Sequence, residues 1–110
     1  MNKDVLKRIV NAVEDKKAEH VKVLDISLIS VMADIFIITS GSNTSQLEAI
    51  TDAAHEAFMK EGIDYKTEGD ATSGWVLIDA GDIILHIFSR EARDFYDLER
   101  IWKDGVPVEL

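Results

Sequence analysis

A chain of 110 residues with 46% apolar side chains is long enough for one folded domain, leaves little room for a second, and is too apolar for wholesale disorder. It has no cysteine, which excludes disulfide frameworks, thiolate metal sites and cysteine nucleophiles and fits a reducing compartment. Twenty-one acidic residues against 12 basic ones give a net charge of −9. That balance repels phosphate backbones, so nucleic acid is not expected as the main contact; it favours a basic protein partner, or else simply keeps the surface soluble.

Val5, Leu6, Ile9, Val10 and Val13 recur at helical spacing and predict an amphipathic helix over about residues 3–19. This start is charged and periodic, without an apolar signal core, and no later run is long enough to cross a bilayer, so a soluble cytoplasmic protein without membrane contact is expected. The sequon-like Asn43-Thr44-Ser45 then has no bearing on glycosylation. VKVLDI (21–26) is β-branched and reads as a strand, and residues 27–32 turn the chain. DIFIITS (34–40) is a nearly continuous apolar run, as in a strand buried on both faces. Gly41-Ser42 breaks it. Ser45 with Glu48 three residues on has the capping-box pattern, and Leu47, Ile50, Ala54, Ala57 and Phe58 continue at helical spacing to Gly62, where a left-handed terminal residue fits. Residues 63–68 suggest a short strand and EGDATSG (68–74) a polar loop. WVLIDAGDIILHIFS (75–89) places two apolar runs around Asp79-Ala80-Gly81-Asp82 and predicts a β-hairpin. Ser89 can cap a final helix carrying Phe95, Leu98, Ile101 and Trp102, ended by Gly105 and Pro107. There are no repeats or linkers. The order predicts one domain over 1–110 of the α/β class, a mixed β-sheet with packed helices.

The hairpin has two unlike faces. With a two-residue turn at Ala80-Gly81, Trp75 lies opposite His86, Leu77 opposite Ile84 and Asp79 opposite Asp82. One face then carries Val76, Ile78, Ile83, Leu85 and Ile87 and belongs to the core. The other carries Trp75, Leu77, Asp79, Asp82, Ile84, His86 and Phe88. Aromatics beside carboxylates suit a partner-binding surface; the same residues would equally suit a face covered by the last helix.

Catalytic chemistry finds little support. His20, His55 and His86 are far apart in sequence and form no short metal-ligand pair. Asp79 and Asp82 could hold a cation weakly or be solvated turn residues. His86 on a strand could be a base or a half-buried structural histidine. Ser40, Ser42 and Ser45 sit between strand and helix, where backbone could cradle a phosphate, but Gly41 is the only glycine there and no lysine follows as in a P-loop. Gly41-Ser42 in that place is similar to the nucleotidyltransferase fold, whose enzymes need paired carboxylates on a following strand to hold metal ions. WVLID has one carboxylate, at its end, and Glu68-Gly69-Asp70 has the spacing but is expected in a loop. No Ser/His/acid triad is legible. No catalytic residue, metal ligand or cofactor is assigned.

DIFIITSGSNTSQLEAITD (34–52), WVLIDAGDIILHIF (75–88) and REARDFYDLERIW (90–102), in this order and at this length, closely resemble the ribosomal silencing factor family, RsfS or Iojap-like. The likeness runs over almost the full chain and is thinnest in the first 30 residues and the last few. The resemblance implies a nucleotidyltransferase-like α/β fold lacking the catalytic carboxylates, without enzymatic activity. It implies binding to ribosomal protein L-fourteen on the interface side of the large subunit, which blocks small-subunit joining and lowers translation when nutrients are short. Organellar relatives act in large-subunit assembly, and several members form homodimers. Against such a partner, the expected contacts are Trp75, His86, Phe88, Arg93, Tyr96, Leu98 and Trp102, with Asp79, Asp82, Glu68 and Asp70 steering from the rim. For the apolar members the competing role is core packing, and Arg93 could pair instead with Asp97 at i, i+4. Rival functions are subunit assembly and a nucleotidyltransferase-like enzyme; an RNA-binding module conflicts with the charge.

Overall fold

Every residue from Ile35 to Gly41 is buried, because this strand lies inside a six-stranded mixed sheet with cover on both faces. The computed structural model describes residues 2–110. In chain order it contains α1 (Lys3–Glu14), β1 (Glu19–Asp25), β2 (Ile35–Gly41), α2 (Thr44–Lys60), β3 (Lys66–Asp70), β4 (Trp75–Asp79), β5 (Ile83–Ser89), α3 (Arg90–Tyr96), α4 (Leu98–Ile101) and β6 (Val106–Pro107). The sheet order is β3-β4-β5-β2-β1-β6, with β2 and β5 parallel and every other pair antiparallel.

Side chains alternate along a strand, so each central strand feeds two cores. On the inner face, Ile35 and Ile37 of β2, Ile83, Leu85 and Ile87 of β5, and Val76 and Ile78 of β4 pack against Leu6, Ile9 and Val13 of α1 and Leu47, Ile50, Ala54 and Phe58 of α2. On the outer face, Leu24, Phe36, Ile38, Ile84 and Phe88 form a smaller cluster with Ile26 and Ala33, partly covered by Ala92, Leu98 and Trp102. Full burial of one such Leu, Ile or Phe side chain is worth about 1.5–3 kcal/mol, so the inner face supplies most of the stability. The outer face is built from fewer residues and keeps a surface.

Several boundaries depart from the sequence expectation, each for a local reason. α1 stops at Glu14 rather than near 19, because Lys17 turns left-handed (φ 64°) and the Ala18 N–H returns to the Val13 carbonyl. The cap of α2 is Asn43, whose side chain accepts the Gln46 N–H at 2.8 Å, so the Ser45–Glu48 pattern falls inside the helix. Glu68, Gly69 and Asp70 lie on strand β3, not in a loop. All five β3 residues are exposed, as a charged edge strand permits. Gly69 is required there: φ is +75° and a Cβ would lie 2.2 Å from the Trp75 carbonyl oxygen.

The β4–β5 hairpin forms, but its register differs from the expected one. Trp75 pairs with Phe88, Leu77 with His86 and Asp79 with Ile84. The Ala80 N–H bonds the Ile83 carbonyl, so the two-residue turn is Gly81-Asp82, one position later than Ala80-Gly81. Gly81 takes φ +81° at the first central position, as a type II′ turn demands. Moving the turn by one residue shifts each cross-strand partner by two, which preserves the face of every side chain.

The final helix is broken. Ser89 caps α3 through the Ala92 N–H, but Asp97 adopts φ 47°, ψ 54° and splits the segment into α3 and α4. Phe95 of α3 and Ile101 of α4, two of the four apolar residues expected on one final helix, face solvent at 81% and 66% exposure.

Candidate docking face

The outer face carries a continuous run of rings. Tyr96 of α3 contacts Trp75 of β4 with centroids 4.5 Å apart, and Trp75 lies 5.0 Å from Phe88 of β5. His86 of β5 meets Phe36 of β2 edge-on at 4.8 Å, and Phe36 meets Trp102 edge-on at 5.0 Å. The sheet supplies the inner rings by strand alternation; α3 and the turn after α4 bring Tyr96 and Trp102 over them. Offset and edge-on aromatic pairs add about 0.5–1.5 kcal/mol beyond area burial, so the run is a stiff platform.

One hydrogen bond orients its centre. The Trp75 indole N–H donates to His86 Nδ1 at 3.2 Å. An indole nitrogen only donates, so Nδ1 is unprotonated and the ring proton sits on Nε2. Burial without a charged partner lowers the His86 pKa from 6.5 to about 4, so the imidazole is neutral near pH 7. Nε2 is buried and has no hydrogen-bond partner among the described residues.

Glu68 pairs across the β3–β4 ladder with Leu77, which puts its carboxylate on the outer face beside the aromatic platform; Asp70 pairs with Trp75 at the end of the ladder, where its carboxylate accepts the Ser73 N–H at 2.8 Å. Glu68, Gly69, Ser73, Trp75, Leu77 and Tyr96 line a shallow groove of about 340 Å³. Glu68, Asp70, Asp79 and Asp82 are exposed, and none belongs to an ion pair among the described residues. Asp79 and Asp82 lie at the hairpin end, about 13 Å along the strand from Trp75.

The residues singled out from sequence therefore separate into layers. Trp75, Leu98 and Trp102 are half-buried, and Tyr96 is 42% exposed. His86 and Phe88 are buried beneath them and support the surface from below. Arg93 is also buried, at 9% exposure. Its guanidinium donates to the Glu19 carbonyl at 3.0 Å, the His20 carbonyl at 2.7 Å, Ser40 Oγ at 3.3 Å and Glu99 Oε1 at 3.2 Å. It clamps α3 to the irregular start of β1, where His20 has φ 47°. Its acidic partner is Glu99 rather than Asp97, because the helix breaks at Asp97. Phe95 is absent from the contacts expected from sequence; α3 turns Ala92 and Arg93 inward and leaves Phe95 exposed, edge-on to Tyr96 at 5.1 Å.

The end of the sheet nearest α2 offers a different geometry. Ser42 N–H and Oγ–H both point to Gln46 Oε1, at 2.6 and 2.8 Å, and Gln46 Nε2 donates to the Lys17 carbonyl at 2.8 Å. The Ser42 N–H and hydroxyl and the Gln46 N–H, three donors that could face a phosphate, are met by this chain's own side chains. Glu68 and Asp70 stand on β3, three strand spacings from β2, or about 14 Å away. They cannot meet Ser42 across a metal ion without rebuilding the sheet. Among the described residues, no three His, Asp or Glu side chains gather as metal ligands. No described helix is long and apolar enough to cross a membrane.

Fold and surface together define a small α/β domain whose distinctive feature is a half-covered aromatic sheet face with free carboxylates at its edge. The family model described as "ribosomal silencing factor during starvation" matches residues 1–110, and the chain belongs to that family. It is 42% identical over 110 residues to ribosomal silencing factor RsfS of Halalkalibacterium halodurans, covering 99% of this chain and 94% of that one. It is 37% identical over 109 residues to RsfS of Bacillus subtilis, covering 98% and 92%. A crystal structure of a Bacillus halodurans protein superposes with a TM-score of 0.85 at 39% identity, covering 99% of this chain and all of that one.

Proposed function

We propose that this protein silences translation by docking its outer sheet face on ribosomal protein L-fourteen of the large ribosomal subunit and standing where the small subunit must land. The observation that carries the reading is the groove at Trp75 and Tyr96, edged by Glu68, which belongs to no ion pair among the described residues. A rigid aromatic pair supplies contact area with little ordering cost. Free carboxylates at the rim steer a basic protein into register, and a net charge of −9 steers it from further away. The family's description and the names of its members agree with this role.

The action is steric and makes or breaks no bond. The fold is read as nucleotidyltransferase-like in layout, with Gln46 occupying the phosphate-facing corner and the candidate carboxylates too far away to serve it. Within the proposed contact, Trp75, Tyr96, Leu98, Trp102, Glu68 and Asp70 form the surface, extended by Phe95. His86, Phe88 and Arg93 hold that surface in place, and Asp79 and Asp82 reach the partner from the hairpin end. The place of action is the cytoplasm, where ribosomal subunits join, and the reading includes a homodimer of this chain, as the family resemblance implies. A direct test adds the protein to separated subunits and follows their joining by light scattering. Joining should fall as the protein approaches equivalence with large subunits. An unchanged joining curve at several-fold excess would sink the reading.

A further inference from the structure

The connection between β1 and β2 is unusual for a monomer surface. Leu28, Ile29, Val31 and Met32 are exposed by 92%, 45%, 105% and 80%, with only Ser30 among them. Contiguous apolar exposure of this kind marks an interaction site more often than chance. The segment is also held in shape. The Ile29 and Ser30 N–H groups bond the Ile26 carbonyl at 3.0 and 2.9 Å, the Met32 N–H bonds Ser30 Oγ at 3.1 Å, and the Ile26 N–H bonds the Asp34 carbonyl at 2.8 Å. Its two ends, Ile26 and Ala33, are buried in the outer-face cluster that also holds Phe36 and Trp102. The backbone is folded back on itself and its apolar side chains point to water, so binding there would pay little ordering entropy.

Charge around the loop selects the occupant. Asp25 stands before it, its carboxylate accepting the Ser27 N–H at 2.9 Å, and Asp34 stands after it. The Asp82 carbonyl accepts the N–H groups of Asp34 and Ile35, which brings the hairpin turn with Asp79 and Asp82 alongside. None of these four carboxylates is in an ion pair among the described residues. A second copy meeting this loop across a two-fold axis would set the same carboxylates against each other. An anionic lipid surface would be repelled for the same reason. A basic protein surface with an apolar socket satisfies both features.

We propose that the loop 28–32 is a second docking element, an apolar knob flanked by Asp25, Asp34, Asp79 and Asp82, that inserts into a basic protein surface of the large subunit while the Trp75–Tyr96 groove engages at the other end of the outer face. This rests on the large-subunit reading above. The two elements flank one sheet face, so a single rigid partner surface can meet both, and each raises the effective concentration of the other.

The test uses the full chain with Leu28→Ser, Val31→Ser and Met32→Ser together, the milder Val31→Ser alone, and Trp75→Ala, each titrated against purified large subunits. Thermal unfolding run in parallel should leave the loop variants' midpoint unchanged, because these side chains are already in water. The triple variant should bind at least about tenfold more weakly than the parent and Val31→Ser by an intermediate factor. If Trp75→Ala weakens binding and the triple variant binds like the parent, the loop proposal is overturned and the large-subunit reading stands. If neither weakens binding, the reading itself fails. If the loop substitutions change only self-association in sedimentation equilibrium, or only flotation with anionic vesicles, the occupant is a second copy or a lipid surface and the proposal is wrong.

Discussion

His86 is the one strongly perturbed titratable group on the outer face, and its energetics can be worked through. The folded protein holds the imidazole neutral, with a pKa lowered from 6.5 to about 4 by burial. Above pH 6.5 the folded and unfolded chains carry the same neutral ring, and the stabilisation is fully present. As pH falls from 6.5 towards 4, the unfolded chain takes up a proton that the folded chain refuses, and stability is lost. Below 4 both forms are protonated and the loss levels off. The window is worth at most about 3 kcal/mol. Replacing His86 by Phe keeps the ring and removes the titration. It also leaves the Trp75 indole N–H without its acceptor, a penalty of about 1–2 kcal/mol that does not vary with pH. Urea unfolding followed by tryptophan fluorescence at intervals between pH 7 and pH 4 separates the two effects. The parent should lose about 2–3 kcal/mol more than His86→Phe across the window, enough to cancel its initial advantage of about 1–2 kcal/mol, so that the two curves meet or cross towards pH 4. The carboxylates held low by Arg90, Arg8 and the Ser27 donors (Glu19, Glu61 and Asp25) titrate in both proteins and cancel in the difference. Parallel curves would refute the argument, as would an imidazole midpoint near 6.5 by NMR.

Two further perturbations test the scaffold beneath the face. Arg93→Met keeps the buried stem but removes donors to the Glu19 and His20 carbonyls, Ser40 and Glu99; it should destabilise by about 2–4 kcal/mol and loosen α3, read as faster amide exchange over residues 90–96, whereas a loss under about 0.5 kcal/mol would show that the clamp is dispensable. Gly69→Ala forces a Cβ against the Trp75 carbonyl at a left-handed position and should cost about 2 kcal/mol or more by chemical denaturation, with large-subunit binding reduced because the β3 edge carries Glu68 and Asp70; unaltered stability would mean that the strand pairing there is not as described.

Much of the fold was legible because its central strands are apolar on both faces. DIFIITS and the hairpin runs need no alternation to be seen, and the two faces of the hairpin survived a misplaced turn because parity, not register, decides the face. β3 was missed in part because an edge strand with five exposed residues carries no hydrophobic pattern. The helix break at Asp97 left no glycine or proline as a signal; a left-handed aspartate is legible only from its backbone angles. That break ends α3 just after Tyr96, which lies over Trp75, and Arg93 bonds Glu99 beyond it. Composition pointed to a basic partner, and the spacing of the aromatics pointed to a mixed face. Neither could show that His86, Phe88 and Arg93 lie under that face while Leu28, Val31 and Met32 stand in water.

The central claim is that the Trp75–Tyr96 groove binds ribosomal protein L-fourteen on the large subunit. It is tested most directly by titrating the labelled chain against large subunits that contain or lack that protein, beside the Trp75→Ala variant on complete particles. The account predicts saturable binding to the complete particle, loss of that binding when L-fourteen is absent, and at least about a tenfold loss for Trp75→Ala with its fold intact. Equal affinity for both particles, or an unweakened Trp75→Ala variant, would contradict it.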